Sequence, residues 1–239
     1  MIESKDNRKI KYLSKLRNNK FMNEEKKFVI EGKHLVKEAQ ASGILLETYS
    51  ILDTNYGVTN NLVTKDIMKH ISDLPSMPSV IGVCNFMDEK ESFGNKVIIL
   101  DNVQDPGNVG TIIRCAKAFG FNSVILSNTT AKKYSQKVIR ASQGMIFKMN
   151  VVEKDIKDFI VQLKKDDYVV YGTNVTCGTD LSKVSKNRKM AVVMGNEGSG
   201  ISSDVSDVLD KNIYIKMKNE CESLNVAVAA GIIMYELGD

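Results

Sequence analysis

Three loops of this 239-residue chain carry polar residues of types that can do chemistry, and each loop follows an apolar strand. The first loop contains Asp105-Pro-Gly-Asn108, and Arg114 follows inside a mostly apolar helix. Pro and Gly form a turn there, and Asn108 can cap the helix. Arg114 is either a surface residue with its stem packed down or a cation directed at a phosphate. The residues alone leave both interpretations open.

The second loop is glycine-rich, Met194-Gly-Asn-Glu-Gly-Ser-Gly-Ile201. Its glycines permit positive φ and a close approach of the backbone to a ligand. A phosphate-binding loop is disfavoured because the lysine of a Walker motif and the spacing of a dinucleotide fingerprint are both missing. The Glu197 carboxylate would also repel phosphates. The loop therefore binds a ligand of another kind, or it is a tight turn without a function.

The third loop holds Ser223 and Asn225, directly before the uncharged run Val226 to Tyr235. Ten residues are too few to span a bilayer, so the helix from 224 to 237 is expected to be buried in protein. Polar side chains at the start of a buried helix need partners. The alternative is local: Ser223 as a plain N-cap, and Asn225 in the first turn.

The elements that must position these loops alternate between strand and helix. The sequence predicts strands at 97–100, 123–126, 151–152, 168–173, 190–194 and 213–217, with helices at 108–119, 154–165, 203–209 and 224–237. This alternation predicts an α/β domain with a mostly parallel sheet over residues 96–239. Ligands of such sheets bind outside the carboxyl ends of the strands, where the three loops lie.

Residues 1–88 form a smaller α/β unit with a basic amino-terminal arm. A basic helix is predicted at 7–20, then strands at 28–32, 45–52 and 79–86 with helices at 33–41 and 65–71. The first 20 residues hold seven basic and two acidic side chains, although the whole chain has a net charge of only +4. Such a cluster fits a phosphate backbone, or it is simply a solvated face. The polar segment 87–95 is the best linker candidate.

The composition narrows the class of protein. No secretory leader or transmembrane run is visible, so we expect a cytoplasmic protein with no membrane role. The four cysteines are widely spaced without a C-x-x-C pair, which argues against a disulfide framework and against a metal site.

The three loops together resemble the three motifs of the SpoU (TrmH) family of RNA 2′-O-ribose methyltransferases, in the SPOUT superfamily. The matching stretches are Asp105-Pro-Gly-Asn-Val-Gly-Thr-Ile-Ile-Arg114, Met194 to Ile201 and Ser223-Leu-Asn-Val226, with Arg140-Ala-Ser-Gln-Gly144 between the first two. Glu31-Gly-Lys-His-Leu-Val-Lys-Glu-Ala39 is similar to the L30e-like substrate-binding domain that precedes the catalytic domain in many ribosomal RNA members.

The resemblance implies a deep trefoil knot, a homodimer through the terminal helix, and methyl transfer from S-adenosylmethionine to structured RNA, with ribosomal RNA favoured. No metal is implied. The implied cofactor-binding residues are Met194, Gly195, Asn196, Gly200, Ile215, Met217, Ser223 and Leu224. The implied catalytic residues are Arg114, Asn108, Glu197, Ser223 and Asn225. The family account also gives Arg114 as a base, but a guanidinium stays protonated, so holding a phosphate and stabilising alkoxide charge fits it better.

Two departures from the family pattern bear on cofactor affinity. Lys216 stands where the family usually has proline, and Asn219 where it has glycine. They leave open a protein that keeps the fold but acts only by binding RNA or in ribosome assembly. A transfer RNA 2′-O-methyltransferase is a further alternative. A nucleotide-binding α/β protein of another class is disfavoured by the missing phosphate-loop motifs.

Overall fold

The computed structural model describes residues 1–186, 188–218 and 222–238. The chain divides into two compact units, Met1–Asp88 and Glu89–Asp239. Each unit has its own sheet.

Unit 1 contains four helices and four strands. In chain order they are α1 (Arg8–Lys15), α2 (Asn19–Glu25), β1 (Lys27–Glu31), α3 (Lys33–Ala41), β2 (Leu45–Ser50), β3 (Thr59–Leu62), α4 (Lys65–Ile71) and β4 (Val80–Asn85). The sheet order is β1-β4-β2-β3. β4 pairs antiparallel with both neighbours, and β2 pairs parallel with β3.

The basic amino-terminal segment is part of the core of unit 1. Ile10, Leu13 and Leu16 are at most 1% exposed and pack against the sheet together with α4. The single helix predicted at 7–20 is wrong in one respect, because the chain breaks before α2. The Asn18 side chain accepts hydrogen bonds from the backbone N–H groups of Lys20 and Phe21, as an N-cap of a new helix does.

The described residues of unit 2 form seven strands, five α-helices and two short 3-10 helices. The strands and α-helices are β5 (Lys96–Leu100), α5 (Pro106–Ala118), β6 (Ser123–Leu126), α6 (Gln136–Ala141), β7 (Asn150–Glu153), α7 (Ile156–Lys165), β8 (Val169–Thr173), β9 (Thr179–Asp180), β10 (Met190–Met194), α8 (Ser203–Ser206), β11 (Lys211–Tyr214) and α9 (Val226–Leu237). The sheet order is β7-β6-β5-β10-β8-β11-β9, and all six pairings are parallel. The predicted parallel α/β sheet is confirmed.

The strands at the centre of this sheet are apolar because both of their faces are covered. Every residue of β5, β6 and β10 is buried. On one face, Ile156, Phe159, Ile160 and Leu163 of α7 pack against β5, β6 and β10. Helix α5 contacts α6 and α9. Such all-parallel strands read as continuous apolar runs, as residues 97–100 and 190–194 do.

The polar segment 87–95 is anchored to unit 2 over part of its length. Asn150 fastens it, accepting a hydrogen bond from the backbone N–H of Lys90 (3.0 Å) and donating one to its carbonyl (3.1 Å). Phe93 is buried and packs edge-on against Phe159, with ring centroids 4.8 Å apart. From Glu89 onward the segment therefore belongs to unit 2.

Helix α9 is apolar, yet one of its faces is exposed in the single chain. Val228, Ile232 and Tyr235 are 51%, 40% and 72% exposed, while Ala230, Ile233, Met234 and Leu237 are buried. The exposed residues follow one another at spacings of four and three, so they share a face of the helix. No helix in the described residues is long and apolar enough to cross a membrane.

Candidate functional site

The three loops singled out from the sequence meet at the carboxyl edge of the unit 2 sheet. β5 and β10 are parallel neighbours in register, with Leu100 opposite Met194, so the loops that follow them emerge side by side. β11 lies two strands from β10, with β8 between them. The loop after β11 leads into α9 at the same edge, as expected of parallel strands.

Asn108 connects the first loop to the other two. Its Nδ2 donates to Glu197 Oε1 at 3.0 Å, and its Oδ1 accepts from Asn225 Nδ2 at 3.1 Å. Asp105 caps α5 and fixes the backbone of Asn108, whose N–H donates to Asp105 Oδ1 at 2.9 Å. Both ends of the Asn108 amide are thus used, and three distant segments share one hydrogen-bonded chain.

Glu197 is held as an anion at the amino-terminal end of α5. Burial opposes its ionisation, but hydrogen bonds from the Asn108 amide and from the backbone of Glu197, Gln104 and Asp105 outweigh this, so the pKa of Glu197 lies below its usual value. The helix dipole also favours a negative charge near a helix amino terminus. The carboxylate is therefore an acceptor that orients Asn108.

Asn225 is the N-cap of α9. Its Oδ1 accepts from the backbone N–H groups of Ala227 (2.9 Å) and Val228 (3.3 Å). The predicted helix start at 224, with Ser223 as the alternative cap, is wrong by two residues, because α9 begins at Val226. The cap explains why an asparagine stands here, and the donor to Asn108 gives it a second partner.

The glycine-rich loop is closed on itself. Asn196 and Gly200 exchange two backbone hydrogen bonds, of 2.9 and 3.0 Å. A Cβ at Gly195 would lie 2.3 Å from the backbone of Gly200 and Ile201, and Gly200 has a φ of +72°. Glycine is needed at Gly195 for space and at Gly200 for conformation.

A cleft of about 710 Å³ opens between the second and third loops. This volume lies within the range of about 300–1,000 Å³ that is typical of small-molecule sites. The cleft is lined by Thr173, Asn174, Val175, residues 194–201, Ser206, residues 212–215, Met217, residues 222–226, Ala229 and Ile233.

All eight residues predicted to bind a cofactor line this cleft, and so do Glu197, Ser223 and Asn225. Lys216 is exposed and is not among the lining residues, although Ile215 and Met217 on either side of it are. Asn219, the second departure from the family pattern, lies outside the described residues. Sequence reasoning missed Thr173 and Asn174, whose signal was a polar pair at the carboxyl end of an apolar strand.

Arg114 lies apart from this cleft. It is exposed on α5, six residues beyond Asn108, and within the described ranges it makes no hydrogen bond or ion pair. Its neighbour Cys115 faces α9, with Sγ 3.7 Å from where a Cβ on Gly231 would stand. Phe119, directly after α5, packs edge-on against the exposed Tyr235 of α9, with ring centroids 5.6 Å apart. Arg114 therefore lies on the helix that packs against α9.

The cleft fits a ligand with polar and apolar parts, such as S-adenosylmethionine. Backbone groups and small polar side chains come from the second and third loops, while Met194, Ile213, Met217 and Ile233 supply apolar walls. Within the described residues, no group of three or more His, Cys, Asp or Glu side chains is arranged to hold a metal ion.

Comparison with known proteins gives consistent matches over the whole chain. The model of the SpoU rRNA Methylase family matches residues 95–235, and that of the MRM3-like substrate binding domain matches residues 7–82. A curated relative, the 23S rRNA (guanosine(2553)-2′-O)-methyltransferase RlmP of Bacillus subtilis (strain 168), is 35% identical, and the match covers 99% of this chain and 98% of the relative.

Solved structures agree with these matches. The AdoMet-bound rRNA methyltransferase from Sinorhizobium meliloti superimposes with a TM-score of 0.89 at 25% identity, covering 99% of this chain and 96% of that one. A TrmH/SpoU tRNA modifying enzyme of A. aeolicus matches with a TM-score of 0.55 at 26% identity, covering 62% of this chain and 76% of that one. The chain therefore belongs to the SpoU family of S-adenosylmethionine-using RNA methyltransferases, with an MRM3-like substrate-binding domain before its catalytic domain.

Proposed function

We propose that this protein transfers the methyl group of S-adenosylmethionine to a ribose 2′-hydroxyl of 23S ribosomal RNA. The observation that carries the proposal is the hydrogen-bonded chain from Asn225 through Asn108 to Glu197 at the edge of the 710 Å³ cleft. Three motifs that are far apart in the sequence form one site there. The relative from B. subtilis, which matches both units, carries this activity in its name.

Ribosomal RNA is preferred over transfer RNA because of unit 1. The tRNA modifying enzyme covers only 62% of this chain, whereas the rRNA methyltransferase from S. meliloti covers 99%. Unit 1 with its exposed basic residues is an added RNA-binding domain, which we assign to recognising shape and phosphates. A cytoplasmic location is part of this proposal, since such a substrate is compatible with it.

The polar residues of the site either orient other groups of the site or act on the ribose. Bound S-adenosylmethionine supplies an electrophilic methyl group, and the chain must present a hydroxyl to it in line. Asn108 and Asn225 are amides without a titratable proton, and Glu197 is an anion whose oxygens are already hydrogen-bonded. These three orient the site. We assign to Ser223, at the mouth of the cleft, the orientation of the ribose hydroxyl.

Arg114 supplies the positive charge of the reaction. A permanently charged guanidinium can hold the phosphate next to the target ribose and stabilise the alkoxide that develops as the hydroxyl loses its proton. Its position outside the cleft of its own chain calls for a second copy. We propose a homodimer in which a partner covers the exposed Val228, Ile232 and Tyr235 and brings its own Arg114 to this cleft.

The dimer proposal rests on the apolar face and on its neighbour. A face with three large side chains 40% to 72% exposed is unusual unless a partner covers it. Arg114 is exposed on α5, which packs against α9, so an isologous interface that covers this face could direct it to the partner. The trefoil knot remains a prediction. Single-molecule unfolding would test it, because a knotted chain that is pulled at both ends reaches a shorter extended length than an unknotted one.

The deciding experiment measures methyl transfer to ribose. Purified protein is incubated with methyl-tritiated S-adenosylmethionine and either 23S ribosomal RNA or transfer RNA, and label in alkali-resistant dinucleotides reports 2′-O-methylation. We expect label in the 23S RNA, and a loss of about 100-fold or more for Asn108→Ala or Arg114→Ala, as for removal of a donor that stabilises the transition state.

The alternatives give different results. Label only in transfer RNA would favour the tRNA methyltransferase. No binding of S-adenosylmethionine in calorimetry would support the non-catalytic protein that acts by binding RNA or in ribosome assembly, whereas binding without label in either RNA would indicate a different RNA substrate. Lys216 is exposed and leaves the lining of the cleft intact, which favours cofactor binding.

A further inference from the structure

Two residues directly after β5 contact both ends of the glycine-rich loop. They are Asp101 and Asn102, and they precede the first motif. Asp101 holds Ser202, at the exit of the loop, and Asn102 holds Asn196, at its entry. Neither Asp101 nor Asn102 lines the cleft. Their contacts therefore act on the loop and not on a ligand.

The buried carboxylate of Asp101 accepts two hydrogen bonds from one residue. It is 6% exposed, and its Oδ2 accepts from the backbone N–H and from the Oγ of Ser202, both at 2.8 Å. Its own N–H donates to the carbonyl of Met194 at 2.9 Å, which continues the pairing of β5 with β10. A buried carboxylate is costly unless it is hydrogen-bonded, so these contacts define where Ser202 must be.

Asn102 adopts a backbone conformation that serves the entry of the loop. Its φ is +58°, in the left-handed region that asparagine tolerates better than most residues. Its carbonyl accepts from Asn196 Nδ2 at 2.9 Å, and its N–H donates to Ser127 Oγ at 3.0 Å. The residue is thereby anchored to the loop after β6 while it holds the loop after β10.

The loop needs this support because three of its six residues from Gly195 to Gly200 are glycines. Glycine loses more conformational freedom on ordering than any other residue. Inside the loop, Asn196 Oδ1 accepts from the backbone N–H groups of Gly198 (2.9 Å) and Ser199 (3.1 Å). These local bonds set the shape of the loop, while Asp101 and Asn102 attach its two ends to the segment directly after β5.

We propose that Asp101 and Asn102 are positioning residues that hold the glycine-rich loop in the form that binds S-adenosylmethionine. The inference rests on the proposed function, since the cleft is taken to be the cofactor site. Because both of its ends are fixed, the loop is ordered before the cofactor enters. The entropic cost of ordering the loop therefore does not lower the affinity for the cofactor. Asp101 acts through Ser202, and Asn102 acts through Asn196.

Ser202→Ala is the sharpest test because it removes one hydroxyl donor and leaves the carboxylate and the backbone. The dissociation constant of S-adenosylmethionine is measured by calorimetry, and KM and kcat by methyl transfer. We expect the dissociation constant and KM to rise about tenfold, the size expected for one hydrogen bond to a charged group, with a much smaller change in kcat. Ser202→Thr, which keeps the hydroxyl, should restore most of the affinity.

The control is another aspartate that binds backbone in the same unit. Asp210 Oδ2 accepts from the N–H of Val170 at 2.8 Å, at the start of β8 and away from the cleft. Asp210→Asn should lower thermal stability without changing the dissociation constant of S-adenosylmethionine. Asp101→Asn should raise that dissociation constant. Amide hydrogen exchange of residues 195–202, measured without cofactor, should quicken in Asp101→Asn and Ser202→Ala only.

The outcomes separate the inference from the function on which it rests. No binding by the wild type would remove the cofactor assignment, and with it the inference. Binding by the wild type with equal affinity in Ser202→Ala and Asp101→Asn would overturn the inference alone, even if exchange of the loop quickened. Equal losses of affinity in Asp210→Asn and Asp101→Asn would show a general effect of stability and would also overturn it.

Discussion

Asn225 donates from its Nδ2 to Asn108 Oδ1 at 3.1 Å, across a sequence separation of 117 residues. The same amide accepts two backbone N–H groups through its Oδ1 as the N-cap of α9. One side chain thereby connects the start of the last helix to the first motif. The two roles use different atoms, so substitutions can separate them.

Asn225→Asp should keep the cap and lose the donor. An aspartate caps a helix as well as an asparagine does, but it cannot donate to Asn108, and its charge would disfavour the nearby Glu197 carboxylate. We expect thermal stability close to that of the wild type with methyl transfer reduced at least tenfold. Asn225→Ala should lose both, with about 1 kcal/mol less stability from the missing cap. Full activity in Asn225→Asp would show that the bond to Asn108 has no catalytic role.

The pH dependence of Glu197 follows from its lowered pKa. A carboxyl group with a lower pKa in the folded state stabilises the fold above the unfolded value, which is 4.5, and loses that contribution as the pH falls through the folded pKa. Thermal melts from pH 7 to pH 3 should therefore converge for the wild type and Glu197→Gln on the acid side. A constant difference at all pH values would contradict this account.

The same shift predicts the pH profile of the reaction. Because Glu197 is already ionised well below neutral pH, it does not titrate between pH 6 and pH 9. Glu197→Gln should lower the rate by a similar factor across that range. A basic limb of the rate profile that disappears in Glu197→Gln would instead make Glu197 a general base.

Mixed dimers test whether Arg114 acts on the partner's cleft. Arg114→Ala and Asn225→Ala chains are each expected to be inactive alone. Refolded together, half of the dimers would be mixed, and each would contain one complete site, so activity should return to about a quarter of the wild type. If Arg114 served its own cleft, no site in the mixture would be complete and the activity would stay at background.

The basic surface of unit 1 is best tested by changing charge and not by deletion. Removing residues 1–20 would also remove Ile10, Leu13 and Leu16 from the core, so weaker RNA binding would not be informative. Arg8→Gln with Lys20→Gln removes two exposed cations. If both contact phosphates, the slope of log affinity against log salt should fall by about 1.4–1.8.

A matched control for charge exists on α7, where Lys157 and Lys165 are also exposed. Their replacement by glutamine changes the net charge equally. An equal fall in slope for both pairs would mean that net charge alone attracts the RNA, and an unchanged slope for Arg8 and Lys20 would mark the amino-terminal cluster as solvated.

The fold and the site differed in how far the sequence predicted them. The strands at 123–126 and 190–194 were predicted at their observed bounds because buried parallel strands are continuous apolar runs, and the strand predicted at 97–100 begins one residue earlier, at Lys96. β3 was missed because Thr-Asn-Asn-Leu is polar, and it forms through pairing with β2. α6 was missed because six residues are too few to show a helical period. It forms by packing closely on α5, where a Cβ at Gly110 would lie 2.5 Å from that of Ala141.

At the site, the residues of the loops were predicted by resemblance, while their partners had to be seen in three dimensions. No periodicity relates Asn108 to Asn225, or Asp101 to Ser202, since each pair is more than 100 residues apart. Arg114 shows the converse case. The resemblance put Arg114 in one site with Asn108, but the two are six residues apart on a helix, a spacing that directs their side chains to different faces.

The double use of Asn225 has a consequence for how the protein is made. Residues 222–226 complete the wall of the cleft and the partner of Asn108, and they are synthesised after the whole parallel sheet. A nascent chain that already carries both earlier motifs therefore has no assembled site. A chain that terminated before residue 222 would lack both this wall and this partner, so it would not assemble the site.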